Sequence, residues 1–241
     1  MTSIGSAPWC VGVIIPACNE EDNIDGCVAS VIEAVITAKI DKYWIVVVAD
    51  DCGDRTAERA RVAVGGAGEV LTVTLNSAGA ARRAGVDRVL RHLGGVDPSR
   101  LWLANTDADT TVRSNWIRVQ LALADEGITG VAGIVELAED GCAAAHEVYR
   151  RTYLTNAEGT HAHVHGANLS MRADAYEDAG GWSDLALAED HCLWSRLRSR
   201  GWRLLSSVSS IVTTSARLKG RAKGGFADTL RACVETASAD A

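Results

Sequence analysis

The chain has 241 residues, 47% of them hydrophobic and 23% charged, and its formal net charge is −7 at pH 7. That length and apolar share suffice for one large domain with a buried core, while the acidic balance argues against nucleic acid or an anionic membrane as the main partner. No apolar run approaches the roughly 20 residues that cross a bilayer, so no transmembrane segment is expected and the chain reads as soluble.

The first apolar run, Cys10 to Ala17, is rich in β-branched residues and closes at Pro16; nothing before it has the basic start of a signal peptide, so it reads as a first strand. Asn19 can cap the helix that follows, Glu20, Glu21 and Asp22 suit its positive end, and Ile24, Val28, Val31, Ile32, Val35 and Ile36 recur at helical spacing. Tyr43 to Ala49 is a continuous apolar strand of the kind buried on both faces of a parallel sheet, and it ends in Asp50 and Asp51. A helix from Thr56 to Val64, a strand from Val70 to Leu75 and a helix from Gly79 to Leu93 come next. Leu101 to Asn105 then forms a fourth strand, followed by a helix from Arg113 to Asp125. This alternation predicts an α/β domain whose mostly parallel central sheet is flanked by helices and binds ligands outside the carboxyl ends of its strands.

The second half is less regular. Gly130 to Leu137 reads as a strand, Ala143 to Asn156 as a helix, and Val164 to Met171 as a strand leading into a helix from Asp174. Glu189 to Arg200 is an amphipathic helix, and Arg203 to Thr214 forms one or two strands. Arg217 to Phe226 carries four cations, three glycines and no acid. Seven cysteines form no C-x-x-C pair and are odd in number, which points to reduced thiols in a cytoplasmic compartment.

The fourth strand ends in Asp107-Ala-Asp109. Two carboxylates one residue apart at such a strand end can converge on a hard cation, Mg²⁺ or Mn²⁺, whose remaining ligands come from water and phosphate; the alternatives are turn formation and helix capping. At this point the sequence resembles the family 2 glycosyltransferases, nucleotide-sugar-dependent enzymes with the GT-A fold. VGVIIPACNEE looks like the family's opening signature and implies nucleotide-pocket roles for Pro16, Asn19 and Glu20. VVVADDCGDRT is similar to its second strand, with Asp50 on the base-contacting aspartate and Asp54 and Thr56 on the Asp-x-Thr that follows. NSAGAARRAG places Arg82 on the family's arginine and Arg83 where the family has asparagine. TDAD resembles the Asp-x-Asp, implying that Asp107 serves the nucleotide or metal and Asp109 the metal. HGANLSMRADAYEDAGGW is similar to the acceptor-side Gly-x-Asn segment, and AEDHCLWSRLRSRG to the Glu-Asp motif. In inverting members the aspartate of that motif is the base, here Asp190, with Glu189 holding it or acting on it through like charge.

The resemblance implies a metal-dependent, inverting transfer of a sugar from a UDP- or GDP-type donor to an unknown hydroxyl acceptor. It implies a GT-A domain over residues 1–225, with a nucleotide-binding half to 112, an acceptor-binding half after it, and a tail at 226–241. Arg217 and Arg221 are read as closing on the diphosphate. His161, His163 and His165 alternate, so a strand would put them on one face, either as a metal site or as polar lining. Trp182, after two glycines, is a candidate for stacking on an acceptor sugar. Nucleotidyl transfer lacks its expected glycine-rich, lysine-bearing loop, and a catalytically silent nucleotide-sugar binder would not need all four of Asp107, Asp109, Glu189 and Asp190.

Overall fold

The computed structural model describes residues 7–139, 143–152, 160–185 and 187–218, and beyond them residues 220, 227, 228, 230–232 and 235. Its strands are β1 (Cys10–Ala17), β2 (Tyr43–Asp50), β3 (Gly68–Val73), β4 (Leu101–Asn105), β5 (Thr110–Val112), β6 (Gly130–Leu137), β7 (Leu169–Arg172) and β8 (Leu204–Thr214). They form one sheet in the order β3-β2-β1-β4-β7-β6-β8-β5. The first four in that order run parallel. β7 runs against both its neighbours, β8 is parallel to β6, and β5 closes the edge antiparallel to β8.

Helices α1 (Ile24–Thr37), α2 (Thr56–Val64), α3 (Ala78–His92), α4 (Trp116–Asp125), α5 (Ala143–Thr152), α6 (Ala173–Asp178) and α7 (Glu189–Ser199) complete the described elements. Strand side chains alternate between faces, and β1 shows where each set goes. Val11, Val13 and Ile15 pack with α1, α2 and α4, whereas Cys10 and Ile14 pack with α3, α6 and α7. The sheet is therefore covered on both faces, which is why β1 and β2 read as unbroken apolar runs. Among the described residues no helix is long and apolar enough to cross a membrane.

Several expected boundaries move for identifiable reasons. α1 begins at Ile24, and Asn19 does not cap it: Asn19 is left-handed, with φ 54°, and its Oδ1 accepts from the Gly53 N–H at 2.8 Å. The third strand stops at Val73 because Leu75, Asn76 and Ser77 turn their N–H groups onto Asp50. β5, which the sequence did not mark as a strand, exists through pairing of Thr110–Val112 with Val212–Thr214. Only the end of the expected strand 164–171 enters the sheet. Gly166–Asn168 instead forms a 3-10 turn whose Asn168 is buried, donating to the carbonyls of Ile134 and Ser210. The expected helix from Ala143 is described to Thr152; residues 153–156 lie outside the described part.

Candidate active site

The donor side is assembled at the carboxyl ends of β1, β2 and β4. Pro16 lies in β1 beside Val48, and the chain then turns through Asn19 to Glu20. That turn is pinned by the Asp-x-Thr segment. The Glu20 N–H donates to Thr56 Oγ1 at 2.7 Å, the Glu21 N–H to Asp54 Oδ2 at 3.1 Å, and the Thr56 hydroxyl to Asp54 Oδ1 at 2.5 Å. Glu20 is thereby held with only 4% of its surface exposed. Asn23 Nδ2 donates to Glu20 Oε2 at 2.8 Å, a contact no sequence motif announces.

Asp50 organises the turn before α3. Its Oδ1 accepts the N–H groups of Leu75 and Asn76 at 2.5 and 3.1 Å, its Oδ2 that of Ser77 at 3.2 Å, and the residue is buried. These backbone donors let the Asp50 carboxylate shape the turn into α3, and Oδ2, with one donor, keeps acceptor capacity.

Asp107 and Asp109 follow β4, and each meets a guanidinium. Arg82, buried on α3, donates through Nη2 to Asp107 Oδ1 at 2.6 Å and through Nη1 to Glu189 Oε1 at 2.5 Å. Burial works against the charge of Arg82, but Asp107 and Glu189 outweigh it and hold its pKa above the ordinary arginine value. Two glycines admit this bridge. A Cβ on Gly79 would lie 2.2 Å from the Ser183 carbonyl and 3.2 Å from Glu189 Cβ, and one on Gly166 would lie 2.4 Å from Arg82 Nη2. Close approach of α3 to α7 and of the 166–168 turn to Arg82 therefore excludes a side chain at either position.

Asp109 is positioned by the β5–β8 pairing: Thr214 Oγ1 donates to its Oδ1 at 3.3 Å, and the Ser215 N–H to its carbonyl at 3.1 Å. The chain leaving β8 returns over the site, so Arg217 reaches Glu20 Oε2 and Oε1 at 2.8 and 2.6 Å and Asp109 Oδ2 at 2.8 Å. Burial foremost, with the charges of Asp107 and Glu20, pushes the Asp109 carboxyl up to about 6 against the pull of Arg217. Arg221 lies outside the described residues. Among the described residues no three carboxylate, imidazole or thiol groups are arranged as a metal-ligand set; the carboxylates face guanidinium groups. The donor set nevertheless fits a hard divalent cation, being all oxygen, with the Arg217 nitrogen standing in for positive charge between Glu20 and Asp109.

On the other side of Arg82, Asp190 opens α7. Its Oδ2 accepts the Gly166 N–H at 2.9 Å and its Oδ1 the His191 N–H at 2.7 Å. Glu189, its neighbour, gives its Oε1 to Arg82. His161, His163 and His165 do share a face, with successive ring centroids 6.0 and 5.9 Å apart in a stack. Stacked rings do not converge on one ion. Burial, against the pull of Asp190, lowers the His165 imidazole to about 4, so it is neutral beside Asp190 at physiological pH. Trp182 is fully buried, its ring 5.1 Å beneath the Arg82 guanidinium, and is not available to an acceptor sugar. His165, whose place beside Asp190 the alternating histidines do not reveal, completes this end of the site.

The family described as Glycosyltransferase like family 2 matches residues 7–232. Among solved structures, GalNAc-T7 with UDP, GalNAc and Mn²⁺ has a TM-score of 0.65 at 16% identity, covering 95% of this chain and 48% of that one. The mannosyltransferase PcManGT from Pyrobaculum calidifontis, in complex with GDP-Man and Mn²⁺, gives 0.63 at 18% identity, covering 97% and 74%. S. aureus TarS 1-349 in complex with UDP-GlcNAc gives 0.63 at 15%, covering 90% and 61%. The chain spans 36% of the longer TarS structure it matches. No curated protein matches the sequence.

Proposed function

Because this chain belongs to glycosyltransferase-like family 2, we propose that it moves a sugar from a UDP- or GDP-type donor to an acceptor hydroxyl, with inversion and with a divalent cation, Mn²⁺ or Mg²⁺. The observation that carries the reading is Arg82, whose one guanidinium contacts both Asp107 of the Asp-x-Asp and Glu189 of the Glu-Asp pair. It holds the donor-side and acceptor-side carboxylates one side chain apart, so that substrates bound at them would lie next to each other. Three resembling structures hold nucleotides or nucleotide sugars, two of them with Mn²⁺, which supports the donor class and the cation.

When bound, the cation supplies charge stabilisation for the departing diphosphate. Asp107 and Asp109 are the carboxylates that would hold it. Arg217 offers a planar, bidentate donor to phosphate oxygens, and the Asn19–Glu20 turn and the Asp50-organised turn before α3 wall the nucleotide. Asp190 accepts the proton of the acceptor hydroxyl as it attacks. Its two backbone hydrogen bonds fix the carboxylate while each oxygen keeps a further lone pair.

The test is calorimetry of UDP and GDP with Mn²⁺, with Mg²⁺ and with EDTA, on the native chain and on Asp109→Ala, followed by NMR of the product anomer. Metal-dependent binding lost in Asp109→Ala, with an inverted product, is expected. In Asp190→Asn, donor binding should persist while turnover falls by about 10³ or more. Absence of nucleotide binding under every condition would overturn the donor reading, and a retained anomer the single displacement.

A further inference from the structure

Glu20 is buried at 4% exposure, and such a carboxylate is stable only with a positive partner. That partner is Arg217, which it shares with Asp109. Arg217 Nη2 lies 2.6 Å from Glu20 Oε1 and 2.8 Å from Asp109 Oδ2, so one nitrogen stands between oxygens of two carboxylates that approach from different strand ends. Of the other two oxygens, Glu20 Oε2 accepts from Asn23 and from Arg217 Nη1, and Asp109 Oδ1 from Thr214 and Thr110. The pair left facing Nη2 can be separated by no more than the two contacts laid end to end. Hard divalent ions bind carboxylate oxygens at about 2.0–2.2 Å, so closure of the pair by about an ångström would seat such an ion where the nitrogen now lies.

We propose that Glu20 is, with Asp109, a ligand of the divalent cation, and that Arg217 is its placeholder: guanidinium and cation compete for the same two carboxylates. Neither can share the position, because the two positive charges would be in contact without solvent between them. Arg217 thus keeps the affinity for the ion alone low. The diphosphate of the donor, by offering the guanidinium another anion, releases the carboxylates to the ion. This release rests on the donor reading above; the competition does not.

The competition is measured without turnover. Mn²⁺ is titrated against the nucleotide-free chain, with free Mn²⁺ followed by electron paramagnetic resonance, for the native chain, Arg217→Met, Glu20→Gln and the double variant. Arg217→Met is expected to bind Mn²⁺ at least tenfold more tightly than the native chain, and Glu20→Gln to remove that gain. Adding UDP or GDP to the native chain should raise its Mn²⁺ affinity towards that of Arg217→Met. An Arg217→Met affinity within twofold of native overturns the proposal, as does a double variant that binds as tightly as Arg217→Met. If Arg217→Met fails to fold, Arg217→Gln, whose amide can still donate to Glu20, is read by the same criteria. Nucleotide binding together with an unmoved Mn²⁺ affinity in the Arg217 variants would sink this proposal and leave the donor reading intact. A tenfold gain with no nucleotide binding would do the reverse.

Discussion

Arg82→Met removes a guanidinium whose side chain is 4% exposed and which contacts two carboxylates at 2.5 and 2.6 Å. Removing one partner of a buried ion pair costs about 3–5 kcal/mol, because the other charge is left without compensation. Glu189, at 13% exposure, meets that condition, whereas Asp107, at 36%, is screened by water and adds less. The expected loss is therefore about 3–4 kcal/mol at pH 7. At roughly 2–4 °C per kcal/mol for a chain of this size, the melting temperature falls on the order of 10 °C. Urea denaturation followed by far-ultraviolet circular dichroism measures it. Glu189→Gln in the Arg82→Met background should recover at least about 1 kcal/mol, because the orphaned charge is then gone. A loss below about 1 kcal/mol for Arg82→Met, or strict additivity in the double variant, would refute the account of Arg82 as the bridge.

Gly166→Ala places a methyl 2.4 Å from Arg82 Nη2 and should cost about 1–3 kcal/mol in the native chain, but little when Arg82 is already methionine; the same denaturation assay reads both. Trp182→Ala should cost about 3–5 kcal/mol of stability, since the ring is fully buried; residual turnover with an unchanged KM for acceptor would confirm that it does not touch the acceptor. Asp109 titrates near 6 in the folded chain against an ordinary 3.8, so the native state keeps a proton that the unfolded state has lost and stability falls as pH rises from about 4 to about 6; Asp109→Asn should gain on the native chain across that interval, by up to about 3 kcal/mol. His165, lowered to about 4 from 6.5, acts with the opposite sign, so stability is lost as pH falls from about 6.5 to about 4 and His165→Gln should gain in the acid direction. Urea midpoints at half-unit pH steps check both, and variants whose profiles run parallel to the native one would contradict these pKa shifts.

What was readable from sequence and what was not divides by the distance between partners. β1 and β2 were legible because continuous apolar runs bounded by polar residues need only burial on both faces to explain them. β5 was not, because Thr110–Val112 is a strand only by virtue of Val212–Thr214, about a hundred residues on. The Asp-x-Asp was visible as a motif, and the structure brings it together with Arg82, Glu189 and Arg217. That Arg217 meets Glu20, 197 residues away in the chain, has no local signal. The surroundings of Asp50 and Trp182 have no local signal either. An acid at a strand end and an aromatic after paired glycines both suggest ligand contacts, and only packing reveals that one serves backbone N–H groups and the other lies beneath a guanidinium.

β4 and β7 run in opposite directions side by side, with Asn105 paired to Leu169 and Asn105 Nδ2 donating to the Leu169 carbonyl at 2.9 Å. The chain leaving β4 towards Asp107 and the chain entering β7 from Gly166 are therefore separated by a single interstrand spacing of about 4.8 Å. That spacing is a mechanical constant of the sheet. Widening it would break a ladder whose Leu103, Ala104, Leu169 and Met171 are fully buried. The β4 and β7 ends of the cleft are thus tied by one ladder, so a change in their spacing would break its hydrogen bonds.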